Sequence, residues 1–365
     1  MHPTNIWYLR RLSNFLLLLG LVLTSEFAQA QQRPALKNID RVRLAETFRL
    51  ADSLSEKVWK DWTKAPFAVL LVTPETEFLL RHPTPSSDFL PLGYDKLLKS
   101  NVYYRKRTFD THLLATFPAV KGSMVSTIVV GQAELTSAKT STPWVVILLH
   151  EHFHQLQNSQ PNYYADVEAL NLAHGDTSGM WMLNYAFPYN KKEVQDSFRA
   201  LSAMLVDVLE DKSRYPQRKL KDYLRQRAEF EGLLTADEAR YINFQFWQEG
   251  AARYTEYRIA QLAGERFHAS KQFKALPDYT SFAQTANATY DRILKQLRTQ
   301  KLEVSRREVV YPFGAAEALL LDRVNPRWRS RYFVDRFDLG KYYRGSSPQV
   351  VVTLLRREAV PGGSG

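Results

Sequence analysis

The spacing of apolar residues changes once along this chain, near Gly131, and that change limits the fold more than any other feature. Before it, apolar residues come in short runs: Phe67 to Val72, Phe78 to Leu80, Val102 to Tyr104, Leu113 to Phe117 and Val125 to Val130. Runs of this length bounded by turn formers read as strands. Pro74 and Pro83 break the first pair, and the Pro/Ser-rich stretch 83–93 reads as a surface loop. One amphipathic helix precedes them at 36–62, where Ile39, Val42, Phe48, Leu54, Val58 and Trp62 recur at helical spacing. After Gly131 the period is helical over 144–158, 162–173, 191–211, 217–231, 235–263, 278–298 and 314–324, and 174–190 is an aromatic, Gly-bearing loop. There is no internal repeat. Strands first and helices second predict an α+β fold, with a small mixed sheet and an edge strand packed on a mostly helical C-terminal lobe. The expected division is 31–140 for the N-terminal helix and β-containing lobe, 141–345 for the helical lobe and 346–365 for a tail. The two parts are expected as lobes around a cleft rather than independent domains.

Residues 1–30 read as a secretory signal peptide. Arg10 and Arg11 flank the apolar core Phe15 to Leu23, and Ala28-Gln29-Ala30 is an A-x-A cleavage site that leaves Gln31 first. The apolar run is shorter than the roughly 20 residues a membrane span needs. The mature chain is therefore expected to be exported, periplasmic or secreted, with no stable membrane insertion. The chain has no cysteine, which excludes disulfides, thiolate metal sites, iron–sulfur clusters and a thiol nucleophile. With 45% hydrophobic and 24% charged residues, disorder of the whole chain is excluded as well. The net charge is +11, but the basic residues are spread out. Their densest groups, Arg105-Lys106-Arg107 and Arg327, Arg329, Arg331, are short. No nucleic-acid motif accompanies them, so the charge reads as a solvated surface and not as a nucleic-acid site.

The sharpest chemical signal is Val146-Ile147-Leu148-Leu149-His150-Glu151-His152-Phe153-His154-Gln155-Leu156-Gln157, which contains H-E-x-x-H as His150, Glu151 and His154. Histidines four apart lie one helical turn apart on one face, so both imidazoles can reach one metal ion at about 2.0–2.1 Å. Glu151 sits on the adjoining face, where it can meet a water at the metal without binding the metal itself. The apolar run before it is what a helix buried beneath a cleft requires. His152 projects away from the other two and is expected in an outer layer or in solvent. A catalytic zinc site needs a third protein ligand and an open fourth position. The downstream candidates are Asp166, Glu168, His174 and Glu249. His174 would make a three-histidine site, and Glu249 stands in the segment Phe246 to Tyr257 (FWQEGAARYTEY).

These two segments resemble the gluzincin metallopeptidases of the thermolysin and aminopeptidase N type. That family carries H-E-x-x-H on one helix and, on a second, a glutamate ligand in W-x-x-E-G-x-A-x-Y-x-E or a close variant. This chain reads W-Q-E-G-A-A-R-Y-T-E from Trp247 to Glu256, one residue shorter after the Trp. The resemblance covers these two motifs and implies a zincin-like fold with Zn2+ held by His150, His154 and Glu249. Glu256 either orients a ligand histidine or is a solvated helix charge. Gly250, Ala251 and Ala252 permit close packing of the second helix on the first. Glu249 lies 95 positions past His154, which implies that the helices in 191–231 are an insertion.

The resemblance further implies an edge strand that pairs with substrate, for which Ser126 to Gly131 is the candidate, a plain core strand being the alternative. It also implies a donor to the developing oxyanion. Tyr311 is the choice, with Tyr254 and Tyr257 behind it and a core role open for its ring. The activity implied is hydrolysis of a peptide or protein substrate, with zinc acidifying a water and Glu151 as general base. The amine-binding G-x-M-E-N segment of aminopeptidases appears here as Gly122-Ser123-Met124-Val125-Ser126, without the acid. An endopeptidase is thus favoured over an aminopeptidase. The competing function is a zinc-bound, non-catalytic cell-envelope binding protein that contacts glycan or peptide through Trp181, Trp247 and Trp328. The intact Glu151 argues against it.

Overall fold

In a computed structural model, which describes residues 33–211, 213 and 217–345, the apolar runs before Gly131 form one six-stranded sheet. Its strands are β1 (Val69–Val72), β2 (Thr76–Leu80), β3 (Leu90–Asp95), β4 (Ser100–Lys106), β5 (Leu114–Phe117) and β6 (Thr127–Gly131). They lie side by side in the order β3-β4-β2-β1-β6-β5. Only β1 and β6 run parallel, with Val69 opposite Ile128 and Val72 opposite Gly131; the other pairs are antiparallel. Every residue of β1 and β6 is buried, which is why these two strands read as unbroken apolar runs rather than alternating ones. The fold is thus mixed α+β with a mostly antiparallel sheet. The expected signal peptide at 1–30 and tail at 346–365 lie outside the described residues.

Two strand expectations need correction. The stretch 83–93 is not all loop, because β3 begins at Leu90 and pairs with β4. With no buried residue and with Pro91 in it, it offered nothing to an apolar-run reading. The segment 126–131 is not an edge strand either. It lies between β1 and β5, and the edge on that side is β5.

The long helices are α1 (Asn38–Val58), α2 (Ser141–Asn158), α3 (Lys192–Glu210), α4 (Gln217–Gly232), α5 (Ala236–Gln245), α6 (Ala251–Arg266), α7 (Phe282–Thr299) and α8 (Val310–Val324). The helix expected over 162–173 is a short one, Tyr163–Glu168. The single helix expected over 235–263 is α5 and α6 joined by a π turn, Phe246–Gly250.

Helix α2 is pinned at both ends and along its back. At its start, Asp278 accepts from the Ser141 backbone N–H at 2.9 Å and from its hydroxyl at 2.6 Å. The fully buried Arg43 of α1 donates to Asp278, Glu134 and the Ser141 hydroxyl, so its charge is paired rather than stranded. The Trp144 indole donates to the Gly131 carbonyl at 3.0 Å. A side chain at Gly131 would put its Cβ 1.8 Å from the Thr111 carbonyl oxygen, so only glycine fits there. Further along, Gln155 Nε2 donates to the carbonyls of Ala68 and Ser126, stitching α2 to the sheet. Trp59, just past α1, stacks on Phe153 at 4.8 Å and donates to Thr255 of α6. Helix α1 is therefore a packed wall behind α2.

Helix α6 does pack on α2, but Gly250 serves a different neighbour from the one expected. A Cβ on Gly250 would lie 2.3 Å from the Gly314 Cα, and one on Gly314 would lie 2.4 Å from the Phe246 carbonyl. Gly250 is thus spent on the backbone of α8, not on α2.

Candidate metal centre

His150 and His154 lie one turn apart on α2, both buried, and both turn Nε2 toward Glu249 of the π turn. Glu249 Oε2 lies 3.9 Å from His150 Nε2 and 3.4 Å from His154 Nε2. One ligand atom from each of the three falls within 4.8 Å of the others. In a tetrahedral site with bonds of about 2.0–2.2 Å, neighbouring ligand atoms stand about 3.3–3.6 Å apart. Two imidazole nitrogens and one carboxylate oxygen at this spacing fit a metal ion, and this buried group can bind one.

The outer partners of the three groups also suit a ligand role. Gln157 Nε2 donates to the Gln248 carbonyl at 3.2 Å and to the Tyr332 hydroxyl oxygen at 2.8 Å, while that hydroxyl donates to the Trp247 carbonyl at 2.6 Å. The carbonyl of Gln248 can only accept, so the Gln157 amide has one orientation, with Oε1 toward His154 Nδ1 at 2.6 Å. Nδ1 then carries the proton and Nε2 keeps its lone pair for a metal. The same side chains cover two carbonyls of the π turn, a geometry in which helix hydrogen bonding is irregular. Among the described residues His150 Nδ1 has no hydrogen-bond partner, and it faces Glu256 Oε2 at 3.6 Å. Glu256 is buried, with Arg292 at 2.7 Å and Arg253 at 3.0 Å. Burial disfavours its charge, yet Arg253, His150 and Arg292 hold its carboxyl down to about 2. It is no solvated helix charge. A carboxylate behind a histidine is the usual support of a metal ligand.

Charge is concentrated at the centre. Burial disfavours the His154 imidazolium, but the Glu249 carboxylate beside it outweighs burial and pushes the imidazole up to about 9. A metal cation in the same place competes with that proton. Burial likewise opposes the charge on Glu249, and His154 and Arg307 together hold it well below the usual carboxylate range. Arg307 donates to Glu249 Oε1 at 2.7 Å, which leaves Oε2 facing the histidines.

Glu151 is buried beside this group, and its Oε2 accepts from the Thr116 hydroxyl at 2.7 Å. Thr116 belongs to edge strand β5, so the sheet edge touches the motif directly. Tyr311 opens α8 with its ring 6.2 Å from the His150 ring. Its oxygen accepts from Arg307 at 3.0 Å, so its own proton is free for another acceptor. Burial and the Glu249 charge push this phenol upward and keep it protonated. The other tyrosine candidates are engaged elsewhere: Tyr254 donates to Asp322 at 2.7 Å, and Tyr257 packs on Tyr290.

The remaining expectations divide. His174 is exposed and lies 3.9 Å from Asp237, outside the group, so the three-histidine site is not formed. Asp166 pairs with Arg336, and Glu168 is exposed. His152 is neither an outer support nor solvated. It is buried face-on against Phe67 at 3.8 Å, with Nδ1 2.8 Å from Gln155 Oε1, and burial drops its imidazole to about 3. Trp247 and Trp328 are fully buried and cannot touch a glycan or a peptide. Trp247 stacks on Tyr332 at 4.5 Å, and Trp328 donates to Asp322.

Sequence reasoning missed Gln157, Thr116 and Arg307. Gln157 is three residues past His154 on the same helix, a spacing that puts the two side by side, so the motif itself contained that signal. Thr116 and Arg307 arrive from 35 and 58 residues away from the groups they bind and had no local signature. Compared with family models, with curated proteins and with solved structures, the chain has no match.

Proposed function

We propose that this chain is an exported zinc-dependent metallopeptidase of gluzincin type, with a zincin-like arrangement of sheet edge and active-site helix. The reading rests on one observation: His150, His154 and Glu249 converge while the carboxylate next to His150 in sequence is held by a hydroxyl on the sheet edge. Two imidazoles and a carboxylate suit zinc better than a hard cation, which prefers all-oxygen sites. Bound there, zinc supplies Lewis acidity, lowering a water's pKa to about 7 and polarising a carbonyl.

The rest of the chemistry belongs to the chain's own residues. Glu151 takes the proton of the attacking water as the water oxygen bonds to the scissile carbonyl carbon. The C–N bond then breaks, and Glu151 returns the proton to the leaving amine. The Tyr311 hydroxyl, its oxygen already held by Arg307, donates to the carbonyl oxygen as negative charge develops there. Among the described residues strand β5 has a strand partner on one side only, and an extended peptide can add to its other side. That mode suits an endopeptidase, and the missing acid in Gly122 to Ser126 argues against capture of a free amine. Export is supported by the leader-like first 30 residues. No helix among the described residues is long and apolar enough to cross a membrane.

The test is metal analysis of the purified protein together with cleavage of an unlabelled peptide mixture, with and without a chelator. One zinc per chain and chelator-sensitive cleavage are expected. Metal-free protein that stays inactive after zinc is added back would end the hydrolase reading.

A further inference from the structure

Arg307 lies in the 3-10 turn Arg306–Val309 that leads into α8, four residues before Tyr311, so the two share a face. Its guanidinium is largely buried and makes four hydrogen bonds. Nη2 donates to Glu249 Oε1 at 2.7 Å, and Nη1 donates to the Tyr311 oxygen at 3.0 Å. Nε donates to Gln245 Oε1 at 3.0 Å and to the Met182 carbonyl at 3.2 Å.

The Met182 end matters because of where that residue sits. Trp181–Asn184 is a single helical turn within the loop 174–190. Trp181, Met180 and Tyr185 help line a groove of about 460 Å³, together with Leu172 and Asp237. The Met182 carbonyl also accepts from the Tyr241 hydroxyl at 3.1 Å and from Gln245 Nε2 at 3.0 Å. Three donors meet on one oxygen, and two of the three side chains that supply them also bind each other.

The backbone shows the same demand. Arg306, immediately before, has φ 47° and ψ −125°, a region costly for any residue with a side chain. Such strain persists where the surroundings dictate it, and the next residue, Arg307, is held from three sides by Glu249, Tyr311 and the Gln245–Met182 pair.

We propose that Arg307 is a positioning residue. It fixes the metal ligand Glu249, the donor Tyr311 and the groove-lining turn 181–184 with one planar group, so that the turn and the metal centre are set together. The proposal rests on the peptidase reading for the role of Tyr311. Lysine in its place keeps a charge against Glu249 but supplies one point of contact instead of a rigid fork.

The experiment compares the full chain with Arg307→Met and Arg307→Lys. Zinc affinity is measured by competition with a chromophoric chelator, the ligand field by the absorption of the Co2+-substituted protein, and kcat and KM on a peptide that the unaltered protein cleaves. Arg307→Met is expected to lose about 10–100-fold in zinc affinity, as other supports of metal ligands do, with altered Co2+ bands. Arg307→Lys is expected to regain most of the affinity yet keep kcat at least about tenfold down at little-changed KM, the mark of a lost transition-state contact. Zinc affinity, Co2+ bands and kcat in both variants equal to those of the unaltered protein would overturn the proposal and leave the peptidase reading standing. Should Arg307→Met fail to fold, Arg307→Lys decides alone, and a kcat within twofold of the original overturns it. Absence of zinc binding by the unaltered protein overturns the peptidase reading itself, and this proposal with it.

Discussion

His152 and His154 stand two residues apart on α2, yet one lies 3.8 Å from the Phe67 ring across the back of the helix and the other 3.4 Å from Glu249 across its front. Both are buried. Burial, with the Arg81 charge adding to it, drops the first to about 3, whereas a carboxylate partner lifts the second to about 9. The same residue type, equally removed from water, becomes a neutral core ring on one face and a cation or metal site on the other. A tract of histidines therefore reveals nothing until helical phase assigns each one a face.

Substitutions can break this comparison, the largest first. His154→Ala removes one of three metal-facing groups, and the protein is expected to purify without zinc and without activity; retained stoichiometric zinc by elemental analysis would contradict the assignment. Glu151→Gln keeps the three ligand candidates and removes the base. It is expected to hold zinc and lose about 10²–10⁴-fold in turnover, read as kcat at saturating peptide. Gln157→Leu frees His154 Nδ1, and a fall of about 10–100-fold in zinc affinity is expected. Thr116→Val leaves the Glu151 carboxylate without its hydroxyl partner, which should lower kcat/KM by about tenfold or less at the cost of roughly one neutral-to-charged hydrogen bond. His152→Phe sharpens the contrast from the other side. The stacked ring survives, one hydrogen bond to Gln155 is lost, and stability should fall by about 0.5–1.5 kcal/mol with zinc content unchanged. A denaturant melt and a metal assay on that one variant separate the two faces of the helix.

Much of the site was legible because its signals are local. The four-residue spacing of His150 and His154 sets a shared face with no help from the rest of the chain, and Glu249 was preferred to His174 through the resemblance of its segment to a known ligand motif. The strands were legible as apolar runs, but their order was not. A run such as 126–131 looks the same whether it closes a sheet or lies inside it, since neighbours are chosen by tertiary packing. Strand β3 escaped because exposed Leu90 and Pro91 gave it no apolar face. The π turn escaped because its residues continue the helical period on paper. Arg307 and Thr116 escaped for a different reason. Their meaning lies wholly in the partners they meet, 58 and 35 residues distant, and a one-dimensional reading contains no term for such meetings.

The π turn at Phe246–Gly250 has one more consequence. A π turn holds one residue more than the α-helical turn it replaces, so losing that residue would draw the turn back to α-geometry and re-aim the side chains within it. Glu249 would no longer face His150 and His154 in the same way, and Gly250 would be displaced at its seam with Gly314. One lost residue would disturb a ligand candidate and the joint between two helices at one stroke, which makes the length of this turn as strict a requirement as the identity of Glu249 and Gly250 within it.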